Sequence, residues 1–200
     1  MKLYFSPASP FARKVRVSAL ELGLAERIEL LQISLSPVSP HTDLRQHNPL
    51  GKIPALITDE GAALYDSPVI CEYLDALAGG ARLWPAAGPA RWRALTRQAL
   101  ADGITDAAVL VRYEQAVRPE PLRWAQWIEG QWLKIRTALE ALERDSLEGV
   151  FDIGTISVAC ALGSLDFRFA EEGWRARLPR LAAWYALISE RASLAATRPS

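Results

Sequence analysis

The chain has 200 residues, enough for one large domain or two small ones with a substantial hydrophobic core. Half of the residues are hydrophobic and 23% are charged, which is typical of a globular protein. Its 23 basic residues are balanced by 23 acidic ones, and a net charge of zero argues against a general nucleic-acid binder. No apolar run approaches the length of a membrane span, and the first ten residues do not resemble a signal peptide. We therefore expect neither nucleic acid nor a membrane as a partner.

The cysteines and histidines predict no disulfide and no metal site. Cys71 and Cys160 lie far apart, each within an apolar helical pattern, so we expect two buried, unpaired thiols. This pattern indicates a reduced, cytoplasmic protein. The two histidines, His41 and His47, lie around a polar turn and offer no cluster of metal ligands.

The first 78 residues predict an α/β domain with the order strand, helix, strand, helix, strand, strand, helix. The elements are a strand at 2–5, a helix at 11–24, a strand at 27–33, a short helix or turn at 41–51, strands at 53–58 and 62–66, and a helix at 67–78. The acidic-Gly turn at 59–61 is a hairpin signal. Ser67 and Pro68 are expected as the N-cap and first residue of the last helix. A right-handed crossover followed by a hairpin on one sheet is the simplest arrangement.

The rest of the chain predicts an all-helical domain. Residues 79–90 are rich in Gly, Ala and Pro and indicate a linker, which leaves residues 91–200 for the second domain. Apolar residues recur at helical spacing in four long runs, and the run that begins at Asp152 is nearly all apolar in its first half. We therefore expect that helix to be central and buried.

Ser9, directly before Pro10, has two interpretations. It caps the first helix, as most such pairs do. Alternatively, it is a hydroxyl aimed at a ligand, because a strand-to-helix junction at the carboxyl end of a sheet is where open α/β folds bind ligands, and a helix N-terminus favours an anion. Arg13 and Lys14 either face solvent or add positive potential near that anion; for Lys14 we favour the solvent-facing interpretation.

Two further segments allow a structural or a ligand-binding interpretation. The stretch NPLGKIPAL places Pro54 at the start of a strand. A cis Ile53–Pro54 bond there would turn the backbone of Ile53 outward to pair with an extended ligand. In DSPV, capping alone explains Asp66 and Ser67, but a carboxylate beside free helix N–H groups also fits the ammonium and carboxylate of an amino acid.

Taken together, SPFARK, NPLGKIPAL, DSPVICEYL and DIGTISVACALGSLDFR, in this order and spacing, resemble the glutathione S-transferase family, specifically its bacterial members that begin with SPFxRK. The resemblance covers essentially the whole chain. It implies a thioredoxin-like N-terminal domain (βαβαββα), an all-helical C-terminal domain, a cis Pro54 and a homodimer.

The resemblance also implies a glutathione site. Ser9 matches the hydroxyl that contacts the sulfur, and Ile53, followed by Pro54, matches the residue whose backbone pairs with the cysteinyl unit. Asp66 and Ser67 match the pair that holds the γ-glutamyl end. Lys52 is a weaker match, to a contact for the glycyl carboxylate. Glutathione would be a co-substrate, and no cofactor is expected.

The C-terminal domain departs from the family pattern at one helix start. The family's buried helix opens with Ser or Thr and has Asp three residues later, whereas here the order is Asp152 and then Thr155. Because Asp152 can still accept the N–H of Thr155, we expect the cap to survive. For a second substrate, Phe11, Arg112, Tyr113 and Trp174 are candidate pocket residues, although core packing is the more common role of a tryptophan.

The hydrogen bond of a serine hydroxyl supplies enough free energy for the expected lowering of the thiol pKa. Lowering a cysteine thiol pKa by roughly two units from about 8.5 needs about 2.7 kcal/mol of thiolate preference. A hydrogen bond to a charged group supplies about 1.5–3 kcal/mol, and a helix N-terminus adds about 0.3–1 kcal/mol. Ser9 cannot form a mixed disulfide, so disulfide exchange through that position is excluded.

Three functions fit these motifs. The first is a glutathione transferase that delivers the thiol to a small electrophile. The second is a non-catalytic binding or stress-regulatory protein with the same fold, and the third is a glutathione-dependent isomerase or reductase.

Overall fold

The computed structural model describes residues 1–200, which form four strands, nine α-helices and three short 3-10 helices. The strands are β1 (Lys2–Phe5), β2 (Glu29–Gln32), β3 (Ala55–Ile57) and β4 (Ala63–Leu64). The helices are α1 (Pro10–Glu21), α2 (Thr42–His47), α3 (Ser67–Leu77), α4 (Gly88–Ala116), α5 (Ala125–Arg144), α6 (Ile153–Arg168), α7 (Trp174–Arg177), α8 (Pro179–Ile188) and α9 (Ala192–Ala195). The predicted order of elements is confirmed.

The sheet has the strand order β2-β1-β3-β4. β1 pairs in parallel with β2, with Lys2 opposite Glu29, and antiparallel with β3. β3 and β4 form the expected hairpin, whose turn is closed by the amide of Thr58 donating to the carbonyl of Ala62 at 2.9 Å. A parallel pair needs a crossover, which α1 supplies, and the hairpin adds the antiparallel half of the sheet.

α6 is the central helix of the C-terminal half. All thirteen residues from 153 to 165 are buried, so the expectation of a buried helix is confirmed. Two glycines allow its neighbours to approach closely. A Cβ on Gly154 would lie 2.6 Å from the carbonyl oxygen of Ala94 in α4, and one on Gly163 would collide with the guanidinium of Arg13 in α1. α6 therefore packs directly against both α4 and α1.

The segment between α3 and α4 is held in place at several points. The carboxylate of Asp75 accepts the amide of Leu83 at 2.7 Å and that of Arg82 at 3.1 Å, and the Leu83 and Trp84 side chains are buried. The carbonyl of Leu83 accepts the amide of Ile153 at 3.0 Å. Residues 88–90 of the predicted linker belong to α4. The Arg82 guanidinium donates to the carbonyl of Leu22 at 3.2 Å, so the segment fixes the start of α6 next to the end of α1.

No single helix is both long enough and apolar enough to cross a membrane; by length and composition alone, α6 and the segment Ala170–Arg177 pass together only as a pair bent by 99°.

Candidate functional site

Ser9 lies between β1 and α1 and is the N-cap of that helix. Its backbone is extended (φ −87°, ψ 116°), and its side-chain oxygen accepts the amide of Ala12 at 3.2 Å. The capping interpretation is thus confirmed. Capping uses the hydroxyl oxygen only as an acceptor. The Ser9 side chain is partly exposed and its O–H donates to no group in the chain. Capping orients the oxygen above the first turn, and the O–H stays free for a ligand.

The loop before β3 presents an unpaired piece of backbone. The Ile53–Pro54 peptide bond is cis, as the resemblance implied. The side-chain amide of Asn48 donates to the carbonyl of Lys52 at 2.8 Å and braces the loop. Neither the N–H nor the C=O of Ile53 has a hydrogen-bond partner in the chain. These two groups can therefore pair with an extended ligand, as a further strand would.

The start of α3 differs from the expectation at one position. Asp66, and not Ser67, is the N-cap residue, and the Asp66 carboxylate makes no capping hydrogen bond. Asp66 is exposed, whereas Ser67 is 1% exposed and its hydroxyl has no partner. A buried hydroxyl without a partner costs free energy unless a ligand or water satisfies it. The helix start also leaves its first N–H groups free.

Two basic residues of α1 lie behind this cleft. Lys14 is 1% exposed and its ammonium pairs with both carboxylate oxygens of Asp102 in α4, at 2.6 and 2.8 Å. Arg13 is 2% exposed and donates to the carbonyl of Leu194 at 3.0 Å. The interpretation of Lys14 as a solvent-facing side chain is therefore wrong. The helical spacing of α1 does not show that a second domain packs on its polar positions.

α4 contributes two aspartates that sequence reasoning missed. Burial is the main cause that raises the pKa of the Asp102 carboxyl, and the Lys14 charge opposes it. Burial also raises the pKa of Asp106, opposed by the charge of Lys52 and reinforced by that of Asp66. Asp106 is thus close enough to Lys52 and Asp66 to feel their charges, and Lys52 itself is exposed. No motif marks these aspartates, because they are one turn apart in a long helix with mixed polarity.

The candidates for a second-substrate pocket are only partly brought together. Phe11 is partly exposed in the first turn of α1, and Arg112 and Tyr113 are exposed near the end of α4. Trp174 is 3% exposed and its indole N–H donates to Asp166 at 2.8 Å. Trp174 is therefore a core residue, as the more common role of tryptophans suggested.

A sizeable cavity in the protein lies apart from the predicted site residues. It measures about 380 Å³ and lies between the α3–α4 segment, the start of α4 and the segment before α6. None of the predicted site residues lines it. The candidate site is therefore defined by its unsatisfied polar groups and not by this cavity.

Neither cysteine takes part in this site. Both are free and fully buried. Burial raises the pKa of the Cys71 thiol to about 12 and that of Cys160 to about 11. Neither is a thiolate near neutral pH, so redox chemistry at these positions has no nucleophile.

Comparison with known proteins agrees with the fold. Residues 8–77 match the N-terminal domain of glutathione S-transferases, and residues 125–187 match their C-terminal domain. The chain belongs to the glutathione S-transferase family. The family resemblance stated from the sequence is confirmed, as is the fold that it implied.

Individual relatives cover the whole chain. The uncharacterized GST-like protein YibF of Escherichia coli (strain K12) is 35% identical over 100% of this chain and 98% of its own. A glutathione transferase family member from Pseudomonas fluorescens Pf-5, crystallised with bound glutathione, is 54% identical, with a TM-score of 0.97 over 100% of this chain and 98% of that one. A structure of the family from the same organism, with bound S-(propanoic acid)-glutathione, is 53% identical, with a TM-score of 0.92 over 100% and 99%.

Proposed function

We propose that the protein is a glutathione transferase, which activates the thiol of glutathione and delivers it to a small electrophile. The observation that carries this proposal is a set of unsatisfied groups around one cleft: the O–H of Ser9, the N–H and C=O of Ile53 and the buried hydroxyl of Ser67. Support comes from the relatives at 54% and 53% identity, which hold glutathione and S-(propanoic acid)-glutathione.

In this proposal the cleft binds glutathione along the whole length of the tripeptide. Asp66 binds the ammonium group of the γ-glutamyl end, while Ser67 and the free N–H groups of α3 bind its carboxylate. The backbone of Ile53 pairs with the cysteinyl unit, and Lys52 binds the glycyl carboxylate. These contacts place the sulfur over the start of α1, where the Ser9 O–H donates to it.

Catalysis then follows from a preference for the thiolate. The Ser9 hydrogen bond and the positive end of α1 lower the thiol pKa, so more of the bound sulfur is nucleophilic near neutral pH. The same donor weakens the nucleophile only modestly, because the sulfur's reactivity falls slowly with its pKa. Ser9 is the proposed catalytic residue; no base or disulfide partner is needed.

The test is Ser9→Ala. We expect turnover with glutathione and an activated chloronitroarene to fall by about tenfold or more, the usual scale for the loss of one charge-stabilising donor. The pKa of bound glutathione, followed by the ultraviolet absorbance of its thiolate, should rise. Ser6→Ala is the matched control, since Ser6 lies in the same loop and its hydroxyl has no partner in the chain.

An unchanged thiol pKa in Ser9→Ala would reduce Ser9 to its capping role. Retained glutathione binding without any turnover by the wild-type protein would favour the non-catalytic alternative. A homodimer and a cytoplasmic location stay predictions; sedimentation velocity tests the first.

A further inference from the structure

Two guanidinium groups at the ends of α4 and α6 have no anionic partner. Arg112 is exposed near the end of α4, and Arg168, the last residue of α6, is only partly exposed. Neither forms an ion pair or a hydrogen bond within the chain. The Arg168 guanidinium lies 4.4 Å from the ring centroid of Phe167. Burial and the charge of Arg112 lower the pKa of Arg168, so the two cations are close enough to repel each other.

The carboxylates nearest to them in the chain are engaged elsewhere. Glu114 accepts the guanidinium of Arg118 at 2.8 Å and the amide of Trp124 at 2.9 Å. Asp166 accepts the Arg175 guanidinium at 2.6 Å and is also bound by the Trp174 indole. The chain therefore leaves two neighbouring positive charges unneutralised.

The packing register places these charges at the same end of the molecule as Ser9. The end of α1 lies level with the start of α6, because the Arg82 guanidinium donates to the carbonyl of Leu22 while Leu83 binds the amide of Ile153. Further along, Arg13 of α1 meets Gly163 of α6. α1 and α6 are thus antiparallel.

Four more residues along each helix is a rise of about 6 Å. This step takes α1 back from Arg13 to Ser9 and takes α6 forward from Gly163 to its last turn, which holds Phe167 and Arg168. α4 runs parallel to α6, since Ala94 lies against Gly154 and, further along, Asp102 binds Lys14 next to the contact of Arg13 with Gly163. By this register Arg112 lies about one turn beyond the level of Arg168, at the same end of the molecule. Both uncompensated cations therefore lie at the end of the molecule that holds the Ser9 hydroxyl.

Aromatic side chains accompany the cations at this end. Tyr113 and Phe167 are 38% and 39% exposed, and Phe11 is partly exposed in the first turn of α1. Large rings that stay accessible beside two guanidiniums suit a ligand with a flat apolar body and an anionic end.

We propose that the electrophile is an aromatic or unsaturated acid, whose carboxylate is bound by Arg112 and Arg168 while its reactive carbon faces the sulfur. This inference rests on the proposed transferase function and extends it to the substrate class. Arginine forks match a carboxylate in two-pronged hydrogen bonds, and a carboxylate between them removes their mutual repulsion.

A pair of matched acceptors tests the proposal. The acceptors are a chloronitrobenzoate, with chlorine para to the carboxylate and the nitro group beside the chlorine, and the amide of the same compound. In both, the thiolate sulfur bonds to the carbon that bears chlorine, chloride leaves with the bonding electrons, and the thiol proton goes to solvent. We expect kcat/KM, relative to the uncatalysed rate, to favour the acid by about tenfold or more, and the preference to shrink with added salt.

Arg112→Gln and Arg168→Gln should each reduce that preference by about tenfold, mainly through KM for the acid, while turnover of the amide stays within about twofold. Arg93→Gln is the matched control, because Arg93 is an exposed arginine on the same helix but at its opposite end. Calorimetry with the glutathione adducts of the acid and the amide measures the same preference without turnover.

The outcomes separate the two proposals. Equal use of acid and amide, or a preference that survives both substitutions, overturns the acidic acceptor and leaves the transferase standing. No turnover of either acceptor, together with no binding of glutathione, overturns the transferase function itself.

Discussion

The starts of α6 and α3 use the same residue in opposite ways. Each helix has an aspartate N-cap with extended backbone, Asp152 for α6 and Asp66 for α3. Asp152 is 8% exposed and accepts the amide of Thr155 at 3.0 Å, while the Thr155 hydroxyl accepts the amide of Asp152 at 3.0 Å. Asp66 makes no capping bond and stands beside the unpartnered hydroxyl of Ser67.

This contrast separates structural polar groups from binding groups. Behind the cleft, where α1, α4 and α6 pack together, the charges of Lys14 and Asp102 satisfy each other. Three buried polar atoms in this layer have no partner: Arg13 Nη1, Ser18 Oγ and Gln98 Nε2. On the cleft face, at the starts of α1 and α3, the groups that could bind a ligand are left open. We therefore expect substitutions behind the cleft to reduce stability, and substitutions on the cleft face to reduce glutathione affinity while the fold is kept.

The largest effect on the free energy of unfolding is expected behind the cleft, at the buried ion pair of Lys14 and Asp102. Lys14→Met leaves the Asp102 carboxylate without its cation in a site where burial already raises its pKa. We expect the free energy of unfolding to fall by about 3–5 kcal/mol, measured by chemical denaturation.

The double variant Lys14→Met/Asp102→Leu is the internal control. Replacing both partners by apolar groups removes the unpaired charge, so the double variant should regain most of the lost stability. A single variant that loses less than about 1 kcal/mol would mean that the pair is solvated and contributes little.

The next largest effect is expected at the cap of α6. Asp152→Ala removes a buried carboxylate that satisfies the first turn of the central helix, so we expect a loss of about 2 kcal/mol, at the upper end for helix caps. Glutathione affinity should not change, because α6 starts at the end of the molecule away from Ser9. Asp152→Asn, which keeps an acceptor oxygen, should recover much of the loss.

How much of this could be predicted depended on whether the cause was local. The cap of α6 was predicted correctly, since Asp152 and Thr155 lie three residues apart and need only helix geometry. Ser9 was likewise placed correctly as a cap. Lys14 was not, because its burial depends on α4, whose Asp102 lies 88 residues away in the chain.

The same limit applies to the cleft. The motif residues around Ile53 and Asp66 were identified through the family resemblance. The uncompensated pair Arg112 and Arg168 left no sequence signal, because it arises from the register between two helices. Only the packing shows which arginines lack a carboxylate.

On the open side, Asp66→Ala should lower glutathione affinity by about tenfold or more, since it removes one charge-assisted contact to the ammonium group. The free energy of unfolding should change by less than about 0.5 kcal/mol, because the Asp66 side chain makes no bond within the chain. Calorimetry and denaturation measure the two quantities. Glu60→Ala, which removes an exposed carboxylate from the β3–β4 turn, is the control with the same change in charge.

The smallest effect on the free energy of unfolding is expected at Glu21, the last residue of α1, where the packed layer behind the cleft reaches the surface. The Arg191 guanidinium donates to both of its carboxylate oxygens at 2.7 Å, and the Ser193 hydroxyl adds a bond at 2.5 Å. The hydrogen bond from Arg191 is the main cause that lowers the pKa of Glu21, and the Ser193 hydroxyl lowers it further, while burial acts in the opposite direction. Because Arg191 is about half exposed, Glu21→Gln should reduce the free energy of unfolding by only about 1 kcal/mol.

The pH dependence identifies this contribution. A carboxylate whose pKa is lower in the folded state stabilises the protein above its unfolded pKa of about 4.3, and that stabilisation is lost as the pH falls through the folded value. The difference between wild type and Glu21→Gln should therefore be full near neutral pH and shrink as the medium is acidified below about pH 4. Glu190→Gln, which breaks the well-exposed pair with Arg198, should show no such difference. If the two variants show the same pH dependence, the Glu21–Arg191 pair contributes no more to stability than a solvent-exposed ion pair does, and it is not part of the packed layer behind the cleft.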